Sequence, residues 1–288
     1  MNLCSFNLST LQSINLSTYQ LINLSTYQPI NLSINQQPTG EITMIVSIHQ
    51  PDYLPWLGFF DKILRCDVFV LLDNVQFSKN YFTNRNKIRT AAGSATSQGW
   101  TWLTVPVLTK GKADQRIDEV QINNISERRW AEKHWKSIEQ SYKKALFFSK
   151  YADFFYQLYS KELDSLTELN KTIIQYLVSA FGLNTRICEV AEIREAAPLA
   201  VEGKGGELLC NICQSLGADT YLSGAFGKEY LDEGLFTDHE IKVVYQEFFH
   251  PEYKQVFSPF IPNMSAIDLL FNYGKDSLQI LQGEKRCG

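Results

Sequence analysis

Across 288 residues the chain sets 27 Lys and Arg against 31 Asp and Glu, and 44% of it is hydrophobic. That apolar share excludes intrinsic disorder of the whole chain, six cysteines are too few for a disulfide scaffold, and a formal net charge of -4 gives no electrostatic reason to expect a nucleic-acid partner. What remains is a globular protein long enough to bury a substantial core.

The charges are unevenly spread, because residues 1–40 contain no Asp, Glu, Lys or Arg. There an eight-residue unit recurs three times, from Ser13 to Gln20, Leu21 to Gln28 and Pro29 to Gln36. Units this short, uncharged and rich in Asn, Ser, Thr and Gln cannot bury a continuous core. Residues 1–43 are therefore expected to be a disordered low-complexity repeat, read through from non-coding DNA, with the native start at Met44. Residues 44–288 are expected to form a single α/β domain. The opening lacks the basic n-region and apolar core of a signal peptide, and no apolar run approaches the ~20 residues of a membrane span. A cytoplasmic protein with reduced cysteines is expected.

After Met44 the pattern changes. Ile45–Ile48 is a short β-branched run, read as a buried strand, and it ends in the fixed loop His49-Gln-Pro-Asp-Tyr-Leu-Pro55. Leu57, Phe60, Ile63 and Leu64 then recur at helical spacing, so a helix is expected from Pro55 to Arg65. Asp67–Leu72 is a second strand, which completes a βαβ unit and implies parallel pairing. Tyr81–Arg89 reads as a polar, cationic loop, and Trp100–Val107 as a strand that Pro106 brings to an edge or an end.

Ala131, Trp135, Ile138 and Tyr142 mark a helix. Leu166, Leu169, Ile173 and Leu177 mark a longer one that stops at Gly182. Arg186–Ile193 is a strand candidate. Leu209, Ile212, Cys213 and Leu216 line a helix opened by Lys204-Gly-Gly-Glu207 and ended by Gly217. Strands at Thr220–Leu222 and Ile241–Phe249 follow, with Ser265 and Asp268 as a capping box for the last helix before Gly274. Alternating strands and helices predict an α/β fold: a Rossmann-like, mainly parallel sheet with helices on both faces.

In such sheets ligands bind beyond the carboxyl ends of the strands, where this chain carries His49, Asp73 and Ser223-Gly224. A histidine there can serve as a general base or hold a phosphate oxygen; otherwise it fastens its own loop. Asp73 can bind a hydroxyl, a ribose or a cation, or cap a turn. Arg85, between Asn84 and Asn86, can clamp a phosphate or carboxylate. Tyr245 and the turn holding His250 and Tyr253 can offer an aromatic platform. The four histidines have no metal-ligand spacing, Cys210 and Cys213 stand as a single CxxC within an amphipathic helix, and no metal is expected. No P-loop, G-x-G-x-x-G or G-x-S-x-G is present. Lys204-Gly-Gly-Glu207 can present backbone N–H groups to an anion or form a plain glycine turn.

His49-Gln-Pro-Asp-Tyr-Leu-Pro-Trp-Leu-Gly-Phe-Phe-Asp-Lys-Ile63, Asp73-Asn-Val-Gln-Phe77, Asn84-Arg-Asn-Lys-Ile88, Trp102–Val107, Tyr221-Leu-Ser-Gly224 and His250-Pro-Glu-Tyr-Lys-Gln255 together resemble the WbqC-like family of bacteria. The likeness runs from Met44 to about Gly274. It implies a setting in surface-glycan or O-antigen assembly and a glycyl or acyl transfer. On that reading His49 and Asp73 are the catalytic candidates. Asp52, Tyr53, Gln76, Asn84, Arg85 and Asn86 are expected to bind substrate, with Ser223, Gly224, His250 and Tyr253. The expected partners are an amino-sugar nucleotide and an acyl donor, and no cofactor is indicated. The strand, His loop, helix, strand order is also similar to the start of pantothenate synthetases. Pro55-Trp56 stands where their second signature histidine would be, which weakens that comparison. An ATP-dependent adenylyl or nucleotidyl transferase and a non-catalytic sugar-nucleotide-binding scaffold are the alternatives.

Overall fold

The computed structural model describes residues 43–91 and 98–283. The expected repeat lies, up to residue 42, outside the described residues. The fold belongs to the unit Thr43–Gly288. In chain order it forms β1 (Ile45–His49), α1 (Leu57–Leu64), β2 (Val68–Leu71), β3 (Arg85–Arg89), β4 (Trp100–Thr104), α2 (Trp130–Tyr142), α3 (Phe148–Tyr159) and α4 (Leu166–Phe181). Then come β5 (Arg186–Glu189), α5 (Val190–Ala196), α6 (Gly205–Ser215), β6 (Thr220–Ser223), α7 (Glu233–Thr237), β7 (Lys242–Tyr245), α8 (Ile267–Tyr273) and α9 (Ser277–Leu281).

Five strands pair in parallel in the order β5-β2-β1-β6-β7, an α/β sheet of Rossmann type. β2 is buried along its whole length, as a central parallel strand must be, and its side chains alternate between two cores. Phe69 and Leu71 join α1, α2, α3, α4, α8 and α9 on one face, while Val68, Val70 and Leu72 join α5, α6 and α7 on the other. From β1 the chain steps outward to β2 and β5 with α1 and α4 on the first face. It then crosses back to β6 and β7 with α5, α6 and α7 on the second. The direction of winding therefore reverses between β1 and β6, and at such a reversal the connecting segments part and leave a crevice.

Local chemistry explains most boundaries. Ser165 Oγ accepts from the Glu168 N–H at the start of α4, and Gly182 ends that helix in the left-handed conformation with φ of 72°. Elsewhere the sequence reading needs correction. Arg85–Arg89 is not a loop but a strand, paired antiparallel with β4 in a separate two-stranded sheet. Its Asn86 and Ile88 face inward, and Arg85 and Lys87 lie against Trp102 and Trp100. Arg186–Ile193 is a strand only to Glu189, because Glu189 and Glu192 form a capping box that starts α5. The capping box expected at Ser265 does not form: Asp268 turns its carboxylate to Tyr253 and Gln255, and α8 begins after Ala266 without a side-chain cap. Three elements, α3, α7 and α9, carry no expectation from the sequence.

Among the described residues no helix is long and apolar enough to cross a membrane. Cys66, Cys188, Cys210 and Cys213 are buried free thiols.

Candidate active site at the sheet reversal

The sheet end at this reversal is built by the last residues of β1 and β6. The two strands are stitched by Ser47, whose hydroxyl donates to the Leu222 carbonyl at 2.7 Å. His49 ends β1 on the α1 face, with its ring edge-on to Phe59 at 5.0 Å. Its Nδ1 lies 2.9 Å from the Gln50 carbonyl. A carbonyl only accepts, so Nδ1 carries the proton and Nε2 holds a free lone pair. Burial, helped by the charge of Lys62, lowers the His49 pKa to about 3. The imidazole is thus neutral through the physiological range.

Lys62 reaches this strand end from α1. It is buried, donates to the Ile48 carbonyl at 3.2 Å and lies 5.8 Å over the Phe69 ring. Burial lowers its pKa to about 8, with Cys66 and Asp52 opposing. Asp52 is the third member. It is 3% exposed, and its Oδ1 has no hydrogen-bond partner among the described residues. Desolvation raises its pKa to about 7 against the pull of Lys62. Strong desolvation shifts coupled to one shared charge, at a topological switch point, make this strand end the candidate site.

The loop after His49 is fixed from several sides. Asn170 on α4 donates to the Pro51 and Thr83 carbonyls at 2.8 and 2.7 Å, and Asn86 donates to the Leu54 carbonyl at 2.7 Å. The Tyr53 N–H meets the Phe82 carbonyl at 3.0 Å. The Tyr53 hydroxyl bonds His134 Nδ1 at 2.8 Å and the Tyr159 hydroxyl. Leu54 is held at φ of 46°, a conformation that costs a non-glycine residue on the order of 1–3 kcal/mol and that only a well-braced loop sustains. On the opposite rim Ser223 ends β6 with its hydroxyl buried and unpartnered among the described residues. A Cβ on Gly227 would lie 2.1 Å from that hydroxyl, so only glycine leaves it room.

The remaining expected residues separate into groups. Asn84 and Asn86 are buried and spend their amide N–H groups on the Val105 and Leu54 carbonyls, so they brace the chain. Arg85 lies 4.3 Å over the Trp102 ring. Asp73, at the end of β2, already holds an ammonium, with Lys171 Nζ 2.8 Å from its Oδ2 and 2.7 Å from Glu189. Gln76 is exposed and donates to the Ala113 carbonyl at 3.2 Å. His250 and Tyr253 belong to a different cluster. His250 packs among Phe248, Tyr253 and Phe260, and the Tyr253 hydroxyl donates to Asp268 at 2.8 Å. Burial raises Asp268 to about 6.

Sequence reasoning missed Lys62, Asn170 and Lys171. The available signal was weak, a lysine or asparagine on the apolar stripe of its helix. Among the described residues no group of three or more His, Cys, Asp or Glu side chains could hold a metal ion.

The profile of the WbqC-like protein family matches residues 50–280. An uncharacterized protein of Mycobacterium tuberculosis, Rv1507c, is 35% identical over 239 residues, covering 82% of this chain and 97% of that protein. No solved structure matches.

Proposed function

The chain belongs to the WbqC-like protein family, and from that premise we propose that it is an enzyme forming an amide bond, transferring an acyl or glycyl group to the amine of an activated amino sugar in bacterial surface-glycan assembly. One observation carries this reading: at the sheet reversal a neutral imidazole, its Nδ1 proton given to the Gln50 carbonyl, and a buried carboxyl group whose Oδ1 has no partner among the described residues both feel the charge of the buried Lys62. A neutral imidazole at the floor of a crevice accepts a hydrogen bond from an incoming amine and orients its lone pair toward an acyl carbon. As the carbon–nitrogen bond forms and the bond to the leaving group breaks, the nitrogen becomes cationic and acidic. Its proton then passes to His49. Asp52 stabilises the resulting imidazolium when ionised, and Lys62 faces negative charge that develops on the acyl oxygen or leaving group. Asp73, paired with Lys171, ties the end of β2 to the end of β5. On this reading Ser223 and Gly224, at the end of β6, contact the substrate, whereas Tyr53, fully buried with its hydroxyl bonded to His134 and Tyr159, only braces the loop after His49.

The test mixes the full chain with ATP, glycine and amino-sugar nucleotides and follows products by mass spectrometry. A new amide is expected, and His49→Ala should slow its formation by about 100-fold or more, with the fold unchanged by circular dichroism. Undiminished turnover in His49→Ala overturns the role of the histidine. Pyrophosphate release with nucleotide transfer favours the adenylyl-transfer alternative instead, and ligand binding without any product favours the scaffold.

A further inference from the structure

α6 begins at Gly205 without a side chain to cap it. The first N–H groups of a helix lack intrahelical partners and carry the positive end of its dipole. They border a cavity of about 800 Å³, a size that accommodates a small-molecule ligand. Its walls come from the segment after β2, from α5 and from the start of α6, and neither His49 nor Ser223 belongs to them.

The cations around this cavity are not equally committed. Arg116 is engaged with Asp118 at 2.9 Å. Arg194 and Lys204 make no ion pair among the described residues. Asn74 donates its amide to the Val201 carbonyl at 3.0 Å, and its Oδ1 is buried without a partner among the described residues. Val75, Val201 and Leu208 supply an apolar wall, and Asp114 and Glu202 add acceptors. The complement of these groups has an anionic end for Arg194, Lys204 and the helix start. It also has an apolar or flat body for the wall, and hydroxyl or N–H donors for Asn74, Asp114 and Glu202.

We propose that this cavity is a second ligand site that binds a phosphate-bearing small molecule of nucleotide or sugar-phosphate type, its phosphate seated at the start of α6 between Arg194 and Lys204. The site stands independently of the acyl-transfer reading, because its signature is binding and not turnover.

Calorimetric titration of the full chain at low salt with inorganic pyrophosphate, ATP and UDP tests it, beside Arg194→Glu, Lys204→Glu and His49→Ala. Both cations are exposed, so the reversals should fold, which melting curves check. At least one probe should bind, each charge reversal should weaken that binding by about tenfold or more, and His49→Ala should leave it unchanged. Tighter binding of a nucleotide than of pyrophosphate supports the apolar wall as a seat for the ligand body. Absence of binding by all three at millimolar concentration, binding indifferent to both reversals, or binding abolished by His49→Ala overturns the proposal.

Discussion

At the scale of single residues, Asp52 sets the pH behaviour of the crevice. A carboxyl group with no partner for its Oδ1 and 3% exposure pays for desolvation only when ionised, which is why its pKa rises to about 7 from an ordinary value near 4. Between those two values the unfolded chain has lost the proton and the folded chain keeps it, so stability falls as pH rises, and the penalty is complete above pH 7. Asp52→Asn removes the ionisation and keeps the shape. It is expected to match the parent near pH 4 and to be more stable at pH 8 by on the order of 3 kcal/mol, read from denaturant melts at both pH values. Turnover should fall at the same time, because the imidazolium loses its counter-charge. A variant equally stable at both pH values, relative to the parent, sinks the unpaired carboxylate. His49 differs in kind. With its pKa near 3 it contributes no titration between pH 5 and 8, the range in which Asp52 and Lys62 change charge.

At the scale of elements, a few side chains decide how the strand ends are held. Lys171 on α4 bridges Asp73 after β2 and Glu189 at the end of β5. Both Lys171 and Asp73 have side chains only 9% exposed, so removing the ammonium leaves a nearly buried carboxylate facing a second one. Lys171→Met is expected to cost about 3 kcal/mol in equilibrium unfolding, and Lys171→Met with Asp73→Asn should recover part of the loss. An additive double variant contradicts the pair. Beyond β6, Gly227→Ala drives a methyl group into the space of the Ser223 hydroxyl. If that hydroxyl belongs to the reacting rim, this variant should lose activity comparably to Ser223→Ala while its melting temperature shifts less than its turnover does.

At the scale of the whole molecule, the parallel sheet was legible because buried strands announce themselves by composition. Ile45–Ile48 and Asp67–Leu72 are β-branched and apolar on both faces, and the structure places them side by side in the centre. β3 escaped because its outward Arg85 and Lys87 are balanced by tryptophans on a strand the sequence does not pair with it, and α5 escaped because one capping glutamate turns a strand into a helix. The site divides the same way. His49 and Asp52 lie in a loop whose prolines show, whereas Lys62 and Lys171 matter only through burial that tertiary packing creates. The uncharged repeat is a last case, since composition separates it from the sheet at Met44. There the Met44 N–H donates to the Asp219 carboxylate at 2.7 Å, and its carbonyl accepts from the N–H groups of Asp219 and Thr220. A chain that starts at Met44 would place an ammonium against Asp219, keeping that donor and adding opposite charge. Such a chain is expected to melt within about 2 °C of the full one, because the hydrogen bonds that Met44 makes to Asp219 and Thr220 are all kept. It should also retain amide-forming turnover. A drop of ten degrees, or insolubility, would show instead that residues before Met44 belong to the folding unit.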